Sequence, residues 1–86
     1  MELTDLPNIG AELAKKLKQV GVNSAEELNA LGSEDALLKI DTLQNGGACI
    51  NMLYALEGAV QGIRWHGLAK QRRAELKDFY NQIKKG

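Results

Sequence analysis

The sequence predicts an all-α fold, a compact bundle of about five helices arranged around one long central helix. Three observations carry this prediction. Apolar residues recur every three or four positions along most of the chain, no stretch alternates with the period of two that a β-strand shows, and glycines separate the apolar runs. With 86 residues the chain is expected to form one domain, residues 1–86, and its core must be mainly aliphatic because it has only four aromatic side chains.

The first helix is predicted over about residues 10–20, directly after the turn LPNIG. Ile9, Leu13 and Leu17 follow one another at intervals of four and therefore lie on one face of this helix. Gly21 is expected to end it, because glycine readily adopts the positive φ found at helix C-termini.

Two short helices are predicted next. Ser24 precedes Glu27 by three positions, the spacing of a capping box, so the second helix is expected to start there and to stop at Gly32. Ser33 is expected to cap the third helix, which leads into a loop at TLQNGG because Asn-Gly favours turns. The residues predicted to face the core from these two helices are Ala25, Leu28, Leu31, Ala36, Leu37 and Ile40.

The central and longest helix is predicted from Ala48 to His66, where apolar residues cover most of the circumference. Its narrow polar stripe consists of Glu57, Gln61 and Arg64. Gly58 and Gly62 stand four residues apart on this helix and are interpreted as helix-packing residues that let a neighbouring helix approach closely. The same groove could serve self-association, so a homodimer is one expectation.

The last helix is predicted from about Ala69 to Lys84. Its apolar face has the i, i+3, i+4, i+7 spacing of an amphipathic helix that packs one side against a core. That face consists of Leu76, Phe79, Tyr80 and Ile83.

Charge is balanced overall but unevenly distributed. The formal net charge is zero, yet residues 1–43 carry −4 and residues 44–86 carry +4. Two interpretations follow: the halves attract each other within the fold, or the basic C-terminal half meets an acidic protein or a nucleic acid. A net charge of zero counts against a protein that depends on non-specific affinity for DNA.

Catalytic and metal chemistry are not expected from this sequence. Cys49 and His66 are the only residues of their types, which gives neither zinc-ligand spacing nor a nucleophile–base pair. We therefore expect no catalytic residues, no metal and no cofactor. Cys49 is expected to be buried as a small apolar side chain. No apolar run is long enough to cross a membrane, and an intracellular, cytoplasmic location is the expectation.

The turn LPNIG is the first candidate functional site. It resembles a helix-hairpin-helix element, in which a hairpin presents backbone N–H groups to a DNA phosphate. Gly10 matches the second glycine of the usual hairpin, whereas Asn8 stands at the position of the first and tolerates a left-handed conformation. Lys15 and Lys16 could add positive charge. The alternative is that this hairpin only turns the chain so that apolar side chains reach the core.

The second candidate is the basic segment RWHGLAKQRR, residues 64–73. Its candidate binding residues for a nucleic acid or a partner are Arg64, Trp65, Lys70, Arg72 and Arg73. Basic residues at the start of a helix oppose the helix dipole, so acidic residues of the N-terminal half or an anionic partner could offset this cost. The alternative is that Trp65 packs into the core and the basic side chains form a solvated face, with His66 in a structural role.

Three stretches together resemble the C-terminal domain of the TfoX/Sxy family. They are LPNIGAELAKKLKQVGVNSAEELNALG, CINMLYALEGAVQGIRWHGL and AELKDFY, which follow in this order over about residues 3–80. The long helix with spaced glycines that ends in Arg-Trp-His is the most specific part of the resemblance.

The resemblance implies a small all-helical domain with a helix-hairpin-helix-like start, from bacterial proteins tied to natural competence, the uptake of DNA. In fuller family members this domain follows an N-terminal α/β domain, which this sequence lacks, so the chain is either a stand-alone version or a piece of a longer protein. We expect a non-enzymatic interaction domain associated with competence regulation, which contacts another protein of the transcription or competence machinery. The alternative is binding of the DNA backbone through LPNIG and the basic segment.

Overall fold

The computed structural model describes residues 1–85, and within this range the fold is all-helical, with five α-helices and no β-strand. The predicted fold class is therefore confirmed. One-turn 3-10 helices at Leu3–Asp5 and Trp65–Gly67 supplement the α-helices. The five α-helices are α1 (Ala11–Gln19), α2 (Ala25–Leu31), α3 (Ser33–Leu43), α4 (Ile50–Gln61) and α5 (Lys70–Lys85).

The core is aliphatic, as expected, and every helix contributes to it. The larger aromatic side chains lie around its edge and are only half-buried. Burying aliphatic side chains from all helices in one cluster supplies the main stabilisation of a chain this small. The largest fully buried side chains are Leu3, Leu17, Leu28, Leu37, Ile40, Leu53, Leu56 and Leu76.

Helix α4 occupies the centre of the bundle, as the sequence predicts. It packs most extensively against α3 and also contacts α2 and α5, whereas α1 packs against α3. The prediction that this is the longest helix is wrong, because α4 has 12 residues and α5 has 16. Its many apolar positions face neighbouring helices on several sides.

The predicted end of the central helix at His66 is also wrong, because α4 ends at Gln61. Gly62 follows in the left-handed conformation with φ of 75°. The Ile63 N–H donates to the Gly58 carbonyl over 2.8 Å, which satisfies one of the last carbonyls of the helix. The chain then continues into the 3-10 turn Trp65–Gly67 instead of extending the rod.

One of the two predicted serine caps is present. Ser24 Oγ accepts from the Glu27 N–H at 3.1 Å, which caps α2 at its N-terminus. Ser33 does not cap α3, because it is the first residue within that helix and Gly32 occupies the N-cap position with φ of 90°. The buried Ser33 hydroxyl is used in a side-chain contact described below.

The thiol of Cys49 is exposed, so the expectation of a buried cysteine is wrong. Cys49 is the N-cap residue of α4, outside the first turn of the helix, which removes it from the apolar surface that the following residues bury. Among residues 1–85, no helix has both the length and the apolar character needed to traverse a lipid bilayer.

Candidate functional site

The side chain of Asn8 joins the two segments that the sequence marks as candidates. Asn8 adopts the left-handed conformation expected for it, with φ of 69°. Its Nδ2 donates to the Ile63 carbonyl at 2.9 Å and to the Ala55 carbonyl at 3.5 Å, and its Oδ1 accepts from the Trp65 N–H at 3.2 Å. LPNIG and the start of RWHGLAKQRR therefore lie against each other at the C-terminal end of α4.

Gly58 allows this close approach. A Cβ on Gly58 would lie 2.7 Å from the Ile63 carbonyl oxygen and would also meet the side-chain amide of Asn8. Gly58 is thus at a close contact, as predicted, but the neighbours are the hairpin and the turn, not another helix. Gly62 lies beyond the end of α4 and faces open space, so the predicted groove of two helix-packing glycines is wrong.

An aromatic stack supports the turn from the other side. The rings of Tyr54 and Trp65 are parallel within 9° with centroids 6.2 Å apart, and the His66 ring lies 4.0 Å from that of Trp65. The Arg73 guanidinium of α5 lies 5.3 Å from the Trp65 ring and 5.8 Å from the Tyr54 ring, within the range of cation–π attraction. It also donates to the Trp65 carbonyl at 3.4 Å, so Arg73 holds the turn in place.

Arg72 is not available to an external anion, because three carboxylates already surround its guanidinium. Glu57 of α4 and Glu75 of α5 lie at 3.1 Å, and Glu34 of α3 lies at 3.6 Å. These ion pairs tie three helices together around one cation. The hydrogen bond that Arg72 donates to the Glu57 carboxylate raises the pKa of Arg72 above its ordinary value.

Glu57 is a residue whose role the sequence pattern did not reveal, because the pattern placed it in the polar stripe of the central helix. It is only 7% exposed and its carboxylate accepts from Ser33 Oγ and Gln61 Nε2, each at 2.6 Å, besides Arg72. Burial opposes its ionisation, but the hydrogen bonds from Arg72, Ser33 and Gln61 outweigh burial and lower its pKa from 4.5 to about 2. The sequence signal for a buried, hydrogen-bonded carboxylate here is a glutamate within an otherwise mostly apolar helix.

Four residues form what we name the turn surface: Arg64, Trp65, His66 and Lys70. Arg64, His66 and Lys70 are exposed, Trp65 is half-buried, and no ion pair involves the three basic side chains within residues 1–85. Residues 62–74 contain no acidic residue. The turn surface is therefore a small cationic area around an aromatic side chain.

The remaining candidates lie on α1. Gly10 is its N-cap residue and is exposed, and no side chain or backbone packed against it from residues 1–85 lies within 4 Å of where a Cβ would stand. Lys15 is exposed and lines, with Thr4 and Lys18, a shallow surface concavity of about 530 Å³. Lys16 is half-buried. No hydrogen bond or ion pair within residues 1–85 joins these lysines to the turn surface.

Taken together, the fold is that of a small helical domain with a cationic turn fixed to an N-terminal hairpin. The sequence profile of the TfoX C-terminal domain matches residues 1–80. The chain therefore belongs to the TfoX C-terminal domain family, which confirms the resemblance found in the sequence.

Two curated relatives agree with this assignment. Protein Sxy of Escherichia coli (strain K12) is 33% identical over 81 residues, which cover 94% of this chain and 38% of that protein. DNA transformation protein TfoX1 of Aliivibrio fischeri is 29% identical over 74 residues, which cover 86% of this chain and 35% of that protein. The chain thus matches little more than a third of the length of these relatives.

Two solved structures share the fold. Both are from Listeria monocytogenes. The triclinic form of an uncharacterized protein is 44% identical, with a TM-score of 0.94 over 98% of this chain and 94% of that chain. The tetragonal form of a protein of unknown function is 45% identical, with a TM-score of 0.91 over 95% of this chain and 99% of that chain.

Proposed function

We propose that this chain is a non-enzymatic interaction domain that acts in the regulation of natural competence by contacting another protein of the transcription or competence machinery. Family membership supports the link to competence, since one relative is a DNA transformation protein. The observation that carries the contact mechanism is the turn surface, where Arg64, His66 and Lys70 are exposed, Trp65 is half-buried, and no ion pair within residues 1–85 involves the three basic side chains.

The chemistry of the turn surface favours an acidic protein segment. Arginine and aromatic residues are enriched in protein interfaces, where the ring supplies contact area and the cation supplies orientation. Arg64 and Lys70 would pair with carboxylates of the partner while the ring of Trp65 contributes apolar contact. Within the described residues 1–85, Arg64 and Lys70 make no ion pair, so binding would not first require breaking one there.

Charge reversal on the turn surface tests this proposal. The double variant Arg64→Glu/Lys70→Glu would replace the native protein in its own cells, and transformation frequency would be measured with a selectable DNA marker. We expect this frequency to fall about tenfold or more, since each lost charge pair weakens partner binding by roughly 1 kcal/mol. Lys77→Glu is the control, because Lys77 is an exposed residue of α5 outside the turn surface. An unchanged frequency in the double variant, with the domain folded, would contradict the proposal.

Direct binding of the DNA backbone is the second candidate. It is favoured by Gly10, which leaves the N-terminus of α1 open to a phosphate, and by the exposed Lys15. Against it, Arg72 is surrounded by carboxylates and Arg73 donates to the Trp65 carbonyl. These contacts remove two of the groups that the DNA hypothesis relied on.

A salt titration separates the two candidates. Fluorescence anisotropy of a labelled duplex would be measured at several salt concentrations, and each phosphate neutralised adds about 0.9 to the slope of log affinity against log salt. We expect duplex binding too weak to detect at micromolar protein and physiological salt. Micromolar binding that Gly10→Glu abolishes and Gly10→Ala preserves, both variants remaining folded, would favour DNA instead.

A further inference from the structure

We infer that the LPNIG hairpin fixes the position of the turn surface, and we name the contact of Asn8 with Ile63, Trp65 and Gly58 the clamp. Asn8 is its positioning residue, and Gly58 leaves the space in which the Asn8 amide lies. The clamp itself depends only on the geometry of the hairpin and the turn. Its importance for partner binding rests on the function proposed above.

The first argument is the use of both ends of one amide. Asn8 Nδ2 donates to the Ile63 carbonyl and Oδ1 accepts from the Trp65 N–H, so one side chain spans both sides of Arg64. An amide can do both at once, because it carries donors and an acceptor on separate atoms in one plane. The backbone of Arg64 is therefore held in an extended conformation, with φ of −65° and ψ of 142°. The two peptide groups that flank it are fixed by the bonds of Asn8 to the Ile63 carbonyl and the Trp65 N–H.

The second argument is the conformation of Asn8 itself. A non-glycine residue at φ of 69° is uncommon, and glycine would meet this requirement at no steric cost. Glycine would also make the hairpin more accessible to a phosphate. The presence of asparagine at this position is explained by its side chain, which reaches 55 and 57 residues along the chain to the turn.

The third argument is the missing side chain at Gly58. Gly58 is buried inside α4, where glycine costs up to about 1 kcal/mol relative to alanine. The space above it is filled by the Asn8 amide and the Ile63 carbonyl, so any Cβ there would push the hairpin and the turn apart. The absence of a side chain at Gly58 thus makes room for the Asn8 amide and its bond to Ile63.

Trp65 makes the clamp measurable without any partner, because it is the only tryptophan of the chain and its backbone N–H donates to Asn8 Oδ1. In Asn8→Gly, which keeps the positive φ and removes the amide, we expect the acrylamide quenching constant of Trp65 fluorescence to rise roughly twofold, since a turn that loses its hydrogen bonds opens locally. Gly58→Ala is expected to have the same effect, with the far-UV circular dichroism spectrum preserved in both variants.

Two controls distinguish positioning from general destabilisation. Gly10→Ala changes a glycine of the same hairpin in open space and should leave the quenching constant unchanged. Ile40→Val lowers stability by about 1 kcal/mol through the core and should also leave it unchanged. Native-like quenching in both Asn8→Gly and Gly58→Ala, or an equal rise in Ile40→Val, would overturn the clamp.

Failure of the clamp and failure of the proposed function can be told apart. The quenching measurement involves no partner, and the transformation assay on Arg64→Glu/Lys70→Glu does not alter Asn8. Unchanged quenching in both Asn8→Gly and Gly58→Ala therefore contradicts the clamp alone, whereas unchanged transformation in the charge-reversed variant contradicts the function alone.

Discussion

Glu57 is a buried carboxylate that remains ionised because its neighbours supply hydrogen bonds. Ser33, Gln61 and Arg72 each donate to it, and together they replace the water that it loses on folding. The folded-state pKa of about 2 is lower than the ordinary value of 4.5. Glu57 therefore contributes stability above pH 4.5, and this contribution is lost as the pH falls from 4.5 towards 2.

Replacing Glu57 by Gln should remove this pH dependence. At pH 7 the variant is expected to be less stable by on the order of 3 kcal/mol, the free energy that corresponds to the lowered pKa. Urea unfolding of both proteins between pH 2 and 7 would measure this. The difference in unfolding free energy between the two proteins should shrink below pH 4. A difference that stays constant across the range would show that the ionised form of Glu57 does not stabilise the fold. Glu12→Gln, at an exposed position of α1, is the control.

Sequence patterns identify the backbone requirement of a residue better than its side-chain partners. The left-handed conformation of Asn8 follows from residue type and position, and it was expected. The partners of Asn8 and Glu57 lie far along the chain, and neither periodicity nor spacing brings Ile63 to Asn8 or Ser33 to Glu57. The same limit explains why Arg72 and Arg73 were interpreted as part of an open basic patch, whereas their contacts are internal.

At the scale of elements, the end of α5 is attached to the loop that precedes α4. Lys84 Nζ lies 2.6 Å from both Asp41 Oδ1 and the Gly46 carbonyl, and Asp41 Oδ1 also accepts from the Ala48 N–H at 3.2 Å. The Tyr80 hydroxyl donates to the Ala48 carbonyl. These bonds hold the loop against α5, in addition to backbone bonds within it such as that from the Gly46 N–H to the Asp41 carbonyl.

Asp41→Ala is expected to loosen this loop. The loss of the hydrogen bonds that Asp41 accepts from Lys84 and Ala48 should lower the free energy of opening this loop by about 1–2 kcal/mol. The reason is that one partner is charged and Asp41 is partly buried. Amide hydrogen exchange of residues 44–48 should become faster while that of α2 is unchanged. Asp78→Ala, an exposed position on α5, is the matched control. Equal protection of the loop in Asp41→Ala would show that these bonds do not order it.

The helix that was predicted least accurately is α4, and the reason is physical. Apolar residues continue past Gln61 with helical spacing, so periodicity alone extends the helix to His66. The rod stops because Gly62 adopts a positive φ and the Ile63 N–H turns back to the Gly58 carbonyl. The other helices have clear end signals, such as Gly21 and the Ser24 cap, and their bounds were predicted to within a residue or two.

Over the whole molecule, opposite charges of the two halves meet within the fold. Arg72 pairs with Glu34, and Lys84 pairs with Asp41, so both contacts join the basic half to the acidic half. The interpretation that the halves attract each other is supported by these ion pairs. Among residues 1–85, the cations that remain outside such pairs include Arg64 and Lys70, which leaves a local positive area on a molecule of zero net charge.

This distribution predicts how Trp65 responds to charged quenchers. Normalised to the quenching of free N-acetyltryptophanamide by the same ion, iodide should quench Trp65 more strongly than caesium, because Arg64 and Lys70 attract anions to the turn surface. Arg64→Glu/Lys70→Glu should reverse the order, Lys77→Glu should not, and high salt should weaken the difference. Equal normalised quenching by the two ions in the native protein at low salt would mean that the turn surface is not electropositive.

The exposure of Cys49 has a practical consequence. Two molecules exposed to air can be linked through their thiols, so any dimer must be examined under reducing conditions before it is attributed to surface packing. The same lone thiol offers a single attachment point for a maleimide dye. The dye would stand before α4 and the indole after it, separated by 12 helical residues, or roughly 18 Å, which gives an energy-transfer pair within one chain.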